Sequence, residues 1–134
     1  MKDQLVSYKT AKLASEKNFD CDHPASYIVY GKADRSIMEE PVLVYDDEIY
    51  ELSEEKGLYP YHDVSVPTQS LLQKWIREKH DIIVWLKPNN DEYNKWSVYI
   101  DDGFGRHLIS YYIIIKGYED ALEAGLVEAL KLIK

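Results

Sequence analysis

Cysteine is almost missing from this chain. Cys21 is the single one among 134 residues, so no disulfide can close within it and no CxxC pair is present to hold zinc. Phenylalanine is nearly as scarce, at two against twelve tyrosines. A tyrosine buries its ring while its hydroxyl seeks a partner, so this choice suits half-wet surfaces and interfaces. No run of about 18 apolar residues exists to span a membrane, and MKDQLVSYKT lacks the apolar core of a secretory signal. A cytoplasmic location is the expectation. Catalytic strings are missing as well. There is no HExxH and no GxSxG, and the glycines of Gly103-Phe104-Gly105 lie between expected strands with no following GK[ST].

Bases are missing from one stretch in particular. Residues 39–63 hold nine acids and a single base, Lys56, which accounts for the whole net charge of −8. The remaining residues carry fifteen acids and fifteen bases. Acidity here is a local property, and the stretch also carries Tyr45, Tyr50, Tyr59 and Tyr61.

What is present fits one ordinary domain over 1–134. The chain is 46% hydrophobic and 30% charged, too apolar for global disorder. No internal repeat, low-complexity tract or linker divides it. Three helices are expected. Residues 7–17 can be capped by Ser7, with Tyr8, Ala11, Leu13 and Ala14 as a short apolar face and Asn18 at the end. Residues 67–80 place Leu71, Leu72, Trp75 and Ile76 on one face, with Gln73, Lys74, Arg77 and Glu78 pointing away. Residues 118–133 carry Glu119 and Asp120 in the first turn, and Lys131 and Lys134 stand at the other end, as the helix dipole favours. Within that last helix Ala121 and Gly125 are four apart. A mid-helix glycine costs about 1 kcal/mol against alanine, so a close approach to a sheet is its expected reason.

Strands are expected at 27–30, 42–45, 49–52, 82–87, 96–101 and 108–115. The pair 42–45 and 49–52 reads as a hairpin about Asp46-Asp47-Glu48. The strand 82–87 is apolar on both faces, which predicts a place inside the sheet. Residues 53–66, punctuated by Gly57 and Pro60, read as a long loop displaying Tyr59 and Tyr61. The fold class is therefore α+β: a mainly antiparallel sheet on a central meander 82–115, with helices 67–80 and 118–133 packed on it and an N-terminal helix 7–17.

The run PTQSLLQKWIREKH, the short strands after it, and the closing YEDALEAGLVEALKLI resemble a family of small uncharacterised proteins of bacteria, phages and prophages. The resemblance covers roughly the C-terminal half, with an echo in SYKTAKLASEKNF. It implies no activity and transfers no catalytic residue.

Candidate chemistry is sparse. The histidines His23, His62, His80 and His107 and the pairs His62-Asp63 and His80-Asp81 lack any metal-ligand spacing, and exposed loop or helix-end histidines are the commoner case. Cys21 near His23 is no nucleophile–base pair, since such partners are arranged in space. Asp101-Asp102 with Asp46, Asp47 and Glu48 could be drawn as a carboxylate metal site, but paired acids at hairpin turns are usually turn chemistry. No cofactor and no metal are expected. A helix-turn-helix made of TAKLASEK and TQSLLQKWIRE fails because roughly fifty residues separate the two. Charge also argues against direct nucleic-acid binding, which rests on neutralising phosphates.

One feature remains, the acidic stretch. Its bland reading is a solvated surface, and that is the commoner case. Its functional reading is a docking surface for a basic protein partner. Asp46, Asp47 and Glu48 would steer the encounter, and Tyr50, Tyr59 and Tyr61 would supply desolvated contact. The expected function is thus a small non-enzymatic interaction or accessory protein. The rival is a small-ligand binder or hydrolytic enzyme near the 53–66 loop, with His62, His107 and carboxylates converging in a pocket.

Overall fold

Ser7 starts the first helix as the sequence requires. In the computed structural model its Oγ accepts the Thr10 backbone N–H at 3.3 Å, and α1 runs Tyr8–Glu16. Asn18 takes the left-handed conformation, φ 65°, just past the end. The structure describes residues 4–19, 25–32, 41–45, 58–89, 93–104, 106–109 and 114–133. In chain order the other elements are β1 (Ala25–Lys32), β2 (Val42–Tyr45), β3 (Leu58–Val66), α2 (Gln69–His80), β4 (Ile82–Pro88), β5 (Lys95–Asp102), β6 (His107–Ile109), β7 (Ile114–Lys116) and α3 (Tyr118–Leu132).

Thr68 caps α2, accepting from the Leu71 backbone N–H at 3.2 Å, and Pro67 stays outside the helix. Asp81, φ 55°, closes it in the left-handed conformation, with Arg77, Lys79 and His80 in the last turn. Buried on α2 are Leu72, Trp75 and Ile76, together with Gln69, a polar residue the apolar period could not single out. Gln73 does not point away into solvent. Its amide donates to the Val84 carbonyl at 2.7 Å and ties α2 to β4.

The strands form two antiparallel sheets where one was expected. The first has the order β2-β1-β3. In the second, β4 pairs with β5, whose other edge takes both β6 and β7. The α+β class and the packed helices hold, but the sheet is divided. The cause is residues 58–66. They form β3, paired along the length of β1 from Ala25↔Val66 to Lys32↔Leu58, and not a loop. Pro60 had suggested otherwise. It is accommodated because β3 is an edge strand among the described residues and because the register slips between Val29 and Tyr30, where Tyr61 is the extra residue.

β2 pairs with β1, and the expected second arm of its hairpin, 49–52, lies outside the described residues. The expected strand 108–115 is seen at its two ends as β6 and β7. β4 is not an interior strand: among the described residues it pairs with β5 alone. Its outward apolar character has a different origin, since Trp85 stacks on the cross-strand Tyr99 at 4.3 Å between ring centroids.

One buried cluster draws on both sheets. It joins Val6, Ala11 and Ala14 to Ala25, Val64 and Val66 of the first sheet. It also takes in Leu72, Trp75 and Ile76 of α2, Ile82, Val84, Val98 and Ile100 of the second sheet, and the inner face of α3. α3 lies on β4, β5 and β7 and also touches α1 and α2, so it is the element that both halves share. Burying one such aliphatic side chain contributes about 1.5–3 kcal/mol. No described helix is long and apolar enough to cross a membrane.

Candidate functional site

The core face of the first sheet is covered unevenly. Period 2 along β1 puts Ala25 and Tyr27 on that face, and the register adds Val64 and Val66 from β3 and Leu43 and Tyr45 from β2. At β3, α1 packs down and both valines are buried. At β2 the cover stops: Leu43 is 38% exposed and Tyr45 48%, though both point the same way as the core. The inward face of the sheet is thus open at its β2 edge.

Two other segments border this opening. Residues 4–7 are pinned against the start of α2 by two backbone hydrogen bonds, from the Val6 N–H to the Pro67 carbonyl and from the Gln69 N–H to the Gln4 carbonyl, which together make the Leu5↔Thr68 bridge. The first two turns of α3 contribute Asp120 and Glu123, which share a helix face at i, i+3. Together they make a cleft of about 600 Å³ lined by Gln4–Ser7, Tyr27, Leu43, Tyr45, Asp120 and Glu123. Its described lining contains two carboxylates, two tyrosines and no base.

Glu123 is the organising group of the wall. Its Oε2 accepts from the Ser7 backbone N–H at 3.2 Å and from the Ser7 hydroxyl at 3.3 Å, while its Oε1 accepts from the buried Gln69 amide at 3.1 Å. Gln69 donates as well to the Glu119 carbonyl at 2.9 Å. One carboxylate therefore joins the cap of α1, the first turn of α2 and the side of α3. Burial, and then the charge of Glu123, push the Tyr27 phenol above its usual value of 10.0. Burial alone does the same to Tyr30, whose hydroxyl has no hydrogen-bond partner among the described residues.

Raised phenols favour the folded state fully below pH 10.0 and lose that contribution as pH climbs through their higher folded values. Stability should accordingly fall in alkali, and Tyr27→Phe should flatten the fall. Urea unfolding of both proteins across that range checks this, and parallel curves would overturn it.

The candidates from the sequence are dispersed. Asp46, Asp47, Glu48 and Tyr50 lie outside the described residues, as do Cys21 and His23. Tyr59 stands opposite Gly31 on β3, and Tyr61 is the bulge residue, so neither is on a loop. His62 pairs with Val29 in the first sheet, whereas His107 pairs with Asp101 in the second. His80 ends α2, with its ring 4.8 Å from that of Trp75.

Asp101 and Asp102 have separate duties. The Trp85 indole N–H donates to Asp101 Oδ2 at 2.6 Å. Asp102 holds the turn: its Oδ1 accepts from the Phe104 and Arg106 backbone N–H groups at 2.9 and 2.8 Å. The Arg106 backbone donor comes first in holding the Asp102 carboxyl below its usual 3.8. Among the described residues no three His, Cys, Asp or Glu side chains are grouped to hold a metal ion.

The cleft itself was hidden from sequence reasoning, because its three borders, residues 4–7, 43–45 and 120–123, lie far apart along the chain. Its one legible sign was an acidic, tyrosine-bearing stretch containing β2. No family model, curated protein or solved structure matches the chain.

Proposed function

We propose that the chain is a small non-enzymatic interaction or accessory protein, of phage or prophage descent, that docks a basic protein partner through its acidic stretch 39–63. The observation carrying this reading is β2. It lies wholly within that stretch, whose end runs on into β3, and it presents Val42, Leu43 and Tyr45 at 36%, 38% and 48% exposure on the edge of a sheet. Apolar and aromatic contact area thus sits inside the one segment whose charge is −8. Carboxylates speed a diffusional encounter, and a desolvated aromatic sets how long the complex lasts.

The division of labour is testable by stopped-flow kinetics with a fluorescein-labelled arginine-rich peptide. Replacing Asp46, Asp47 and Glu48 by Asn, Asn and Gln should slow association and flatten its salt dependence. Tyr59→Ala or Tyr61→Ala should leave association nearly unchanged and speed dissociation by about tenfold. If neither set changes either rate while the fold is retained, the stretch is a solvated surface and the proposal fails.

A further inference from the structure

The cleft beside β2 has a composition that narrows what could enter it. Its walls offer apolar surface from Leu5 and Leu43 and aromatic rings from Tyr27 and Tyr45, and its α3 side offers Asp120 and Glu123. A guest must bring apolar or planar surface for the walls and hydrogen-bond donors with positive charge for the carboxylates. Among the described residues three donors meet Glu123, two from Ser7 and one from Gln69, against the roughly four acceptor sites of a carboxylate. Asp120 is exposed on the same helix face.

We propose that this cleft receives an arginine side chain of the basic partner. The inference rests on the preceding reading that the partner is basic. Guanidinium answers each demand: its aliphatic stem covers apolar wall, its plane stacks on a tyrosine, and its fork of N–H groups reaches two carboxylates at once. A lysine ammonium is a compact, strongly hydrated charge that gains less from aromatic walls. The N-terminal dipole of α3 offsets part of the attraction of Asp120, so the carboxylates alone would hold a cation weakly. The stacking surface of Tyr27 and Tyr45 supplies the remainder. A second copy of this chain is disfavoured as the guest, because it would bring another net charge of −8 to an acidic opening. At about 600 Å³ the cleft is within the usual range for a binding site.

The test titrates the full chain with fluorescein-labelled hexa-arginine, hexa-lysine and hexa-citrulline peptides at low salt. Binding is read by anisotropy, and backbone amide shifts show where each peptide sits. Hexa-arginine should bind and shift amides of Leu5–Ser7, Leu43–Tyr45 and Asp120–Glu123. Tyr45→Ala should weaken it by about tenfold, and Asp120→Asn by about threefold, with melting temperature held, since both side chains are well exposed. Hexa-lysine should bind about threefold to tenfold more weakly, and hexa-citrulline weaker still.

If hexa-arginine binds and weakens only when Asp46, Asp47 and Glu48 are neutralised, the basic-partner reading stands and the arginine cleft falls. If hexa-arginine fails to bind at all, both fall. Equal binding of hexa-lysine would refute the choice of arginine. A dimer in sedimentation that Tyr45→Ala dissolves, with no effect of that change on the peptides, would assign the cleft to a second copy and overturn the proposal.

Discussion

Replacing Trp75 by alanine is expected to cost ~3–5 kcal/mol of unfolding free energy, as large-to-small changes in a core do. The indole is 4% exposed and lies between two rings. Phe19 meets it edge-on at 5.3 Å, and His80 does the same at 4.8 Å from the end of its own helix. Phe19 follows the left-handed turn at Asn18, so the same contact fixes how the chain leaves α1. Alanine would leave a cavity against neighbours held in place by two sheets and three helices, and such a site collapses poorly. The midpoint of urea unfolding should fall with its slope unchanged. Trp75→Phe, which keeps an aromatic surface, should cost clearly less. A shift of a few tenths of a kcal/mol for Trp75→Ala would remove this residue from the core.

The helices were legible because the first two carry their own punctuation and the apolar period marks the last. Ser7 and Thr68 cap, Asn18 and Asp81 reverse the chain, and the 3.6-residue period runs through Leu72, Trp75 and Ile76 and again through Leu122, Leu126 and Leu130. Local signals of that kind survive any tertiary arrangement. The first sheet was obscured for the opposite reason. In Asp63-Val64-Ser65-Val66 the alternation is clear, with both valines buried, but Pro60 and the bulge at Tyr61 break the period just upstream. A strand whose pattern is interrupted reads as a loop unless its partner is known, and that partner, β1, lies 26 residues earlier at the nearest pairing, Lys32↔Leu58, and 41 earlier at the farthest, Ala25↔Val66.

β4 shows the complementary error. Trp85 made it apolar on both faces, and burial on both faces was the inference. Its ring is in fact 37% exposed on the outer face, stacked on Tyr99 and held by Asp101. An aromatic cross-strand pair can thus imitate an interior strand.

The cleft was the least legible feature. Leu43 and Tyr45 face the core by register, but whether α1 extends far enough to cover them depends on packing that no local pattern encodes. Glu123 looks in sequence like an ordinary acid on the surface of a helix. Its role appears only when Ser7 and Gln69 are brought to it from 116 and 54 residues away.

Gly125 gives the second large effect. A mid-helix glycine is a standing cost of about 1 kcal/mol against alanine, so alanine should stabilise α3 if the helix were free. It is not free. A Cβ built on Gly125 would lie 2.7 Å from Val98 Cγ1 and 2.8 Å from Val84 Cγ1, both well inside contact distance. Those valines are β-branched and almost fully buried on β5 and β4, so rotating out of the way would trade one overlap for another. Overpacking of this kind costs ~1–3 kcal/mol, enough to exceed the propensity gain. Gly125→Ala should therefore destabilise by about 1–2 kcal/mol net, and Gly125→Val, with two further carbons in the same space, by about 3 kcal/mol or more. The cause can be separated from any change in helix propensity by pairing Gly125→Ala with Val98→Ala. Room made on the sheet should relieve the overlap, so the double variant should lose less than the sum of the two single losses by about 1 kcal/mol. Should Gly125→Ala raise stability, or should the two changes simply add, the close approach of α3 to the second sheet is not what keeps glycine at this position.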